Sequence, residues 1–485
     1  MASSKCQHPS IYLAPSPHAD EVGFQRTPLE KRIGATTRSG RAPKTLDLTE
    51  DDISGSFPAP LVLPDDDLAH DPKCPPQSLR SWINNKVDYN PPTSRRCVVY
   101  VADAPEISSG VEFMRGWMKP NMAVSSSKSR KRKRAATKPT SPEDVLEGGA
   151  GGGVPLPKAE DVVKYLGAFY HGLEVKAPAP SRLRFVPWDA SGSDDYVGFQ
   201  TSKDNCVRVR TRPSPDGRAT RQLNLSDLLD GLMDALPERA YSIALMVHHD
   251  LYEDEEDDFC CGRAYGASRI CVVSSFRYHP DFDAGEGVDR AHMWPASHCA
   301  KYVDRVCGVK QTQSKSRVGG GGRRCSVADG ESRQGAMHKA VSEVLPLPLP
   351  SSNDDLHHLW LSRFVRTASH ELGHCMAIDH CVYYACVMQS TAGLVEDGRQ
   401  PPYMCPVCLA KMTSSLHSFN RKANGERDVK SADTPEKYVV DRYRALLAVM
   451  EEKKWQKTGL FVGFRGWLEA RLRQVDEDRA AIFSH

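Results

Sequence analysis

The sequence contains no run of 18 apolar residues, which a membrane-spanning helix would need. Its first residues, MASSKCQHPSIYLAPSP, also lack the apolar core of a signal peptide. The sequence also lacks an excess of charge of either sign, because 64 lysines and arginines nearly balance 62 aspartates and glutamates, giving a net charge of +2. This balance provides no general attraction to nucleic acid or to membrane surfaces. We therefore expect a protein of the cytoplasm, the nucleus or both, with neither membrane nor nucleic acid as a partner.

The sequence also lacks a regular pattern of cysteines. It has 15, an odd number, and most of them are scattered. In a reducing compartment such cysteines are free thiols or metal ligands more often than members of a disulfide framework. Four of them fall in one short window, residues 381–408. This window is therefore a candidate metal site.

Composition and hydrophobic pattern divide the chain into segments. Strands of β-branched residues are mixed with amphipathic helices, which predicts a mixed α/β (α+β) fold. Stretches rich in Pro, Gly, Ser or basic residues have no means of forming a core and predict long disordered segments. The expected segments are 1–93, largely irregular; 94–120 with 157–280, sheet and helices; 121–156, a basic linker; 281–346, a low-complexity insertion; 347–425, a long helix and the cysteine window; and 426–485, helical.

A histidine cluster begins in the stretch SRFVRTASHELGHC. His370 and His374 are four residues apart, so on a helix predicted over residues 351–377 they project from the same face. Two imidazoles at that spacing can bind one Zn²⁺ ion, while Glu371 points away from the ligand line. This is the H-E-x-x-H arrangement of zinc peptidases, in which zinc acidifies a bound water and the glutamate takes its proton.

A third histidine strengthens this interpretation. An isolated H-E-x-x-H match can arise by chance, but His380 lies six residues after His374, beyond one helical turn. It can return to the metal only if the helix ends and the chain folds back. Three histidines leave the fourth zinc position open for water, which is typical of a catalytic site.

The cysteine window has the spacing of a second zinc site. Cys381 and Cys386 form one pair, and Cys405 and Cys408 form another. Two close pairs in an intracellular chain are a strong indication of zinc, and four thiolates leave no position for water. We therefore predict a structural zinc, with four buried free thiols as the alternative. Cys375 lies outside both pairs and is expected to be a core residue.

The segment HELGHCMAIDHCVYYACVMQ, followed by CPVCL, resembles the archaemetzincins, a family of zinc metallopeptidases in the metzincin clan. Weaker similarity extends over FYHGLEVK, VHHDLY, VVSSFRY and DRYRALL. The resemblance implies that Glu371 is catalytic and that Met388 is the Met-turn methionine beneath the catalytic zinc. It implies two Zn²⁺ ions with these ligands: His370, His374 and His380 for the catalytic ion, and Cys381, Cys386, Cys405 and Cys408 for the structural ion.

The implied fold is a metzincin-like zincin domain with a twisted mixed sheet, an active-site helix and a Met-turn. Residues 94–120 and 157–280 would form its upper part, and the strand ICVVSSFRY would be the edge onto which an extended peptide pairs. Val273, Ser274 and Ser275 are the predicted substrate residues of that edge. The implied reaction is hydrolysis of a bond in a peptide or protein substrate, without distinction between aminopeptidase and endopeptidase.

One position departs from the family pattern. The glycine three residues after the second histidine is Ala377 here. Alanine in a left-handed conformation costs about 1–2 kcal/mol, so the turn toward the third histidine is strained. This favours an alternative function, a catalytically weak, zinc-stabilised protein-binding module of the same fold. The intact Glu371 favours the enzyme, because a scaffold has no need of that carboxylate.

The linker contains a basic run, KSRKRKR, which begins at Lys128 and ends at Arg134. It is either solvated charge or a nuclear import signal that binds an import receptor. A nucleic-acid binder built on the cysteine window would need basic and aromatic residues around it. The stretch MCPVCLAKM has one lysine and no aromatic residue, so we rank this third function last.

Overall fold

The structure is a computed structural model of the 485-residue chain. It describes residues 10–44, 48–122, 153–177, 183–190, 192–266, 269–309, 324–326, 335–423 and 434–483. The basic run that begins at Lys128 lies outside the described residues.

Thirteen strands are present in the described residues. They are β1 (Ser10–Tyr12), β2 (Val98–Ala102), β3 (Glu106–Ile107), β4 (Glu174–Lys176), β5 (Arg184–Pro187), β6 (Tyr196–Gln200), β7 (Cys206–Pro213), β8 (Arg221–Asn224), β9 (Ala240–Val247), β10 (Asp250–Tyr252), β11 (Gly262–Tyr265), β12 (Ile270–Ser274) and β13 (Arg324–Ser326).

The same residues contain sixteen α-helices. They are α1 (Pro17–Glu21), α2 (Leu29–Gly34), α3 (Glu50–Ser54), α4 (Asp67–His70), α5 (Leu79–Asn84), α6 (Met114–Trp117), α7 (Ala159–Phe169), α8 (Leu225–Asp234), α9 (Asp283–Glu286), α10 (Ala300–Val306), α11 (Ala336–Val344), α12 (Asn353–Cys375), α13 (Leu394–Asp397), α14 (Pro406–Ala423), α15 (Pro435–Met450) and α16 (Gly459–Phe483). Short 3₁₀ turns are Phe276–Tyr278, Pro280–Phe282, Arg290–His292, Ala296–His298 and Lys453–Trp455.

The central sheet has five strands in the order β11, β12, β9, β2, β4. The last four run parallel, and β11 is antiparallel to β12 at one edge. Every residue of β9 is buried, as expected of a parallel strand covered on both faces. A second sheet has the order β10, β8, β7, β6, β5, β3, and β1 pairs with β13. The predicted mixed α/β class is confirmed.

Alternate side chains of the central sheet enter two cores, as the two-residue period of a strand requires. Cys271 and Val273 of β12 point into a core shared with α7, α12, α15 and α16. Ile270 and Val272 point to the opposite face, into a core shared with α8 and the second sheet. Helix α12 therefore packs on one face of the central sheet, beneath β11 and β12.

The predicted edge strand is wrong. Val273 and Ser274 belong to β12, which is paired on both sides, with β11 and with β9. Ser274 donates to the His249 carbonyl and Ser275 lies against the His248 ring, so both hydroxyls are used inside the protein. The edge is β11, GRAY, whose glycine, arginine and short length give no strand pattern in the sequence.

Residues 10–44 and 48–93 contain five short helices and connecting loops that pack on the rest of the protein. Phe57 makes edge-on contacts with Tyr384, Tyr403 and Trp467, with ring centroids 5.4–6.4 Å apart, and Trp82 is buried as well. The segment was predicted as largely irregular because its many prolines and aspartates hide these apolar residues.

The predicted low-complexity insertion, residues 281–346, is ordered at both ends. Residues 281–309 contain α9, α10 and 3₁₀ turns, with Trp294 and Val303 buried, and residues 335–346 contain α11, which packs on α16. The Gly-rich middle of the stretch obscured the apolar residues on either side of it. Apart from β13, that middle lies outside the described residues.

The C-terminal part is helical in its described residues. Within the segment 426–485, which was expected to be helical, α15 packs against α7 and α16. No helix of the described part is long and apolar enough to cross a membrane.

Candidate metal centres and cleft

Helix α12 brings the H-E-x-x-H residues to the base of a cleft. It begins with a capping box, in which Ser352 Oγ accepts from Asp355 N and the Asp355 carboxylate accepts from Ser352 N. His370, Glu371 and His374 lie in its last two turns. The capping box stabilises the start of the helix, and its buried apolar face packs on the central sheet, so these side chains are held in place.

The first two histidines face each other. Their Nε2 atoms are 2.9 Å apart. Each Nδ1 lies 2.7 Å from a carbonyl oxygen, of Val387 for His370 and of Ile378 for His374. Since a carbonyl only accepts, both Nδ1 atoms hold the ring hydrogen, and both Nε2 lone pairs point into one space. Two lone pairs so placed repel each other unless a cation lies between them.

The chain then turns sharply to bring in the third histidine. Helix α12 ends at Cys375, and Ala377 adopts the left-handed conformation with φ of 58°. Ala377 N donates to His374 O (2.8 Å) and Ile378 N donates to Gly373 O (3.1 Å), the two bonds of a Schellman cap. The His380 ring consequently lies 4.9 Å from that of His374, between centroids.

Burial favours the neutral form of the three imidazoles. Burial lowers the pKa of His370 well below its usual range, and the neighbouring His374 and His380 lower it further. Burial and His380 lower the pKa of His374 to about 3. Burial also lowers the pKa of His380. Neutral imidazole is the form that binds a metal ion, because protonation would remove the lone pair.

This set fits Zn²⁺. One ligand atom from each of the three histidines lies within 4.8 Å of the others, and the second nitrogen of His370 and of His374 is fixed by a carbonyl. Such bonds orient the rings of zinc-binding histidines. A shared Zn²⁺ ion would therefore explain why the Nε2 atoms of His370 and His374 face each other.

Glu371 lies beside this set, on the same helix. It is 6% exposed, and burial raises its pKa to about 8, with Arg263 acting in the opposite direction. A Cβ atom on Gly262 of β11 would lie 3.3 Å from Glu371 Cγ. The edge strand and the glutamate are therefore in close contact, and this position of β11 leaves little room for a larger side chain.

The four cysteines of the window come together as a second, buried group. Their sulphur atoms lie within 4.8 Å of one another, and Cys381 Sγ is 3.5 Å from Cys405 Sγ. The backbone N–H groups of Met388 and Cys405 donate to Cys386 Sγ, at 3.4 and 3.2 Å. Hydrogen bonds from the other three thiols, that of Cys386 first, hold the pKa of Cys381 well below its usual range. The group fits a closed four-thiolate zinc site.

Met388 lies against helix α12, which carries the first two histidines; its role as the Met-turn methionine stays a prediction. Its sulphur contacts Gly373, and its carbonyl accepts a hydrogen bond from Cys381 N (2.7 Å). Cys375 is buried in the core and belongs to neither metal group, as expected.

A cleft of about 480 Å³ opens above these residues. It is lined by His370, Glu371 and His380, by residues 259–262, which lead into β11, and by residues 389–394. Val273, Ser274 and Ser275, the predicted substrate residues, lie behind β11 and away from this space. Residues 256–258 of the acidic run EDEEDDF also line the cleft.

Comparison with known proteins agrees with the site. The model of peptidase family M54 matches residues 340–414, which include both metal groups, Glu371 and Met388. Archaemetzincin-2 of Mus musculus is 24% identical over 305 residues, 62% of this chain and 62% of that protein. These similarities support the resemblance to the archaemetzincins over the part of the chain that carries the site. The archaemetzincin of Thermococcus kodakarensis is 35% identical over 81 residues, 17% of this chain and 40% of that protein.

A solved structure of the archaemetzincin of Methanopyrus kandleri is also similar, at 14% identity, with a TM-score of 0.30 over 67% of this chain and 98% of that one. The chain spans 62% of the length of the mouse archaemetzincin it matches. Sequence reasoning missed Gln77 and Trp82, whose side chains donate hydrogen bonds to the turn before His380, because neither residue belongs to a local pattern.

Proposed function

We propose that this chain is a zinc-dependent peptidase that hydrolyses bonds in peptide or protein substrates. The observation that carries the proposal is the pair of Nε2 lone pairs of His370 and His374, directed into one space beside the Glu371 carboxylate at the floor of a cleft. A protein that only packed these residues would gain nothing by this arrangement.

His370, His374 and His380 would hold the catalytic zinc. Bound there, zinc supplies Lewis-acid chemistry, which polarises a carbonyl group and makes water more acidic. The second proposed ion, structural zinc, would be held by Cys381, Cys386, Cys405 and Cys408. The convergence of the four buried sulphur atoms supports this assignment.

Glu371 would act as the general base and then as the general acid. A cation bound by the neighbouring histidines would lower the pKa of Glu371 and favour its carboxylate form. The carboxylate would accept a proton from water as the water oxygen bonds to the scissile carbonyl carbon, and it would return that proton to the leaving nitrogen as the C–N bond breaks. Its burial and its contact with Gly262 fix it at the floor of the cleft. The products are a carboxylic acid and an amine, so the protons balance.

Strand β11 would hold the substrate. Cys261 O accepts from Ser274 N (2.8 Å) on the β12 side, so the ladder bonds at Cys261 face inward and those of Gly262 face the opposite edge. In the described part of the chain no strand pairs with β11 itself on that side, although Cys260, two residues before Gly262, bridges to Leu251 of β10. An extended peptide could add there as a further strand.

The alternative, a catalytically weak binding module, rested on Ala377. The turn is formed in the left-handed conformation with alanine in place, and this supports the enzyme. A location in the cytoplasm or nucleus, and an import receptor for the run from Lys128 to Arg134, stay proposals that rest on the sequence alone.

The test is cleavage of a diverse peptide library by the full-length, zinc-loaded protein, with the cut sites determined by mass spectrometry. Glu371→Gln is compared with Glu436→Gln, which changes an exposed glutamate of α15. We expect cleavage by the wild type and by Glu436→Gln, and none by Glu371→Gln at equal zinc content. Equal cleavage by all three, or none by the wild type with two zinc ions bound, would overturn the peptidase and leave the binding module.

A further inference from the structure

The turn that presents His380 has two carbonyl groups beyond the end of α12, at Met376 and Ala377. Alanine in the left-handed region costs about 1–2 kcal/mol, and the Schellman bonds satisfy earlier carbonyls of the helix, not these two. Both carbonyls instead accept from side chains of the N-terminal segment. The third histidine therefore depends on residues far away in the sequence.

Gln77 makes a complete set of hydrogen bonds to this turn. Its Nε2 donates to Ala377 O (3.0 Å) and to the Asp379 carboxylate (2.7 Å). Its Oε1 accepts from Asp379 N (3.1 Å) and from Lys411 Nζ (2.6 Å). An amide side chain offers two hydrogens and two lone pairs, and here all four are used. Gln77 thus fixes the backbone on both sides of Ile378.

Trp82 contacts Met376, the residue before Ala377. Its Nε1 donates to Met376 O at 2.9 Å. Together with Leu79 it also encloses the Ala377 side chain, so the methyl group that glycine would lack is buried against an apolar surface. This contact offsets part of the conformational cost of alanine.

Lys411 connects this arrangement to the other candidate metal centre. It lies on α14, one turn after Cys408, and its ammonium group is buried. Lys411 donates to the same Gln77 oxygen that accepts from Asp379 N. Gln77 therefore links the histidine turn to the helix that carries Cys408.

We propose that Gln77 is a positioning residue for the catalytic zinc: it holds the turn at Ala377 so that His380 completes the ligand set. The inference rests on the proposed function, because it takes the three histidines as the zinc ligands. Without the hydrogen bonds of Gln77 the turn is free to move away, and only His370 and His374 still bind the metal ion. Removal of groups that orient metal ligands typically weakens metal binding 10–100-fold.

The test measures metal binding by the full-length protein, with Co²⁺ as the probe and a competing chelator. Thiolate-to-cobalt absorption reports the cysteine group alone, since imidazole gives no such band, and the total cobalt bound reports both groups. Gln77→Ala is expected to weaken binding to the histidines 10–100-fold and to leave the thiolate absorption unchanged. Adding Ala377→Gly to Gln77→Ala is expected to restore binding in part.

Ser78→Ala is the matched control. It removes the N-cap of α5, a local loss of about 1 kcal/mol, without touching the turn. Histidine-site affinity within twofold of the wild type in Gln77→Ala, equal loss at both sites, or the same loss in Ser78→Ala would overturn the positioning role. If the wild type itself bound no cobalt at the histidines, both this inference and the proposed function would be wrong; cobalt bound without any peptide cleavage would overturn only the latter.

Discussion

Gly373 lies directly against Met388: a Cβ atom added at Gly373 would overlap the thioether sulphur and come within 2.9 Å of Cε. Gly373 precedes His374 on α12, and Met388 follows Cys386 by two residues, so this contact fixes the spacing between the two candidate metal centres. No other residue than glycine fits there without movement of the methionine.

The first prediction concerns this contact. Gly373→Ala is expected to lower the free energy of unfolding by about 1–3 kcal/mol, as overpacking of a core does, and to weaken zinc binding by the histidines. Urea unfolding and zinc content per chain measure the two effects. Gly116→Ala is the control, because nothing lies within 4 Å of a Cβ atom there. Equal stability of both variants would show that Met388 moves freely.

Removal of one histidine ligand should remove one metal ion. We expect His374→Ala to reduce zinc from two ions per chain to one and to abolish peptide cleavage, with the thiolate group intact, because two imidazoles hold zinc far less tightly than three. Elemental analysis after dialysis measures this. His357→Ala, near the start of the same helix, should retain both ions. Full zinc content in His374→Ala would exclude it as a ligand.

The cysteine group should contribute stability rather than catalysis. Cys405→Ser is expected to lose the other zinc ion and several kcal/mol of unfolding free energy, since a structural zinc site contributes directly to folding and a hydroxyl is a poor ligand. Thermal unfolding and zinc content provide the measurement, with Cys206→Ser, an exposed position on β7, as the control. If Cys405→Ser kept two zinc ions, the four-thiolate site would be the wrong assignment.

The space around Glu371 gives a prediction for the edge strand. Gly262→Ala would place a methyl group 3.3 Å from Glu371 Cγ and 3.0 Å from the Val272 carbonyl. We expect kcat to fall about 10-fold while zinc content stays at the wild-type value, because a small displacement of a catalytic group is costly. Steady-state kinetics on one cleaved peptide would decide. Unchanged kcat would mean that the carboxylate tolerates movement.

The sequence was informative where the chemistry is local. His370, Glu371 and His374 share one helix, and the spacings to His380 and between the cysteine pairs follow from the chain itself, so both clusters could be predicted together. The long helix was placed correctly because its cap and its apolar face leave a clear pattern. The helix α15 was predictable for the same reason.

Other features depend on contacts between distant segments. Gln77 and Trp82 reach the histidine turn across about 300 residues of sequence, and a lone glutamine in a polar stretch has no pattern that indicates a partner. Strand β11 was missed because GRAY is too short to show alternation, and β12 was taken for the edge because its apolar run is the more visible strand. Strand order is decided by pairing, which the sequence does not record.

The separation of Gln77 from Ala377 by 300 residues has a consequence for biosynthesis. At about 5–20 residues per second, a ribosome needs about 15–60 s to make the chain between them. During that interval Phe57 and Trp82 have left the ribosome while their partners in the second half have yet to be translated. The newborn N-terminal segment therefore exposes aromatic surface for many seconds, which makes it a natural client for chaperones that bind nascent chains.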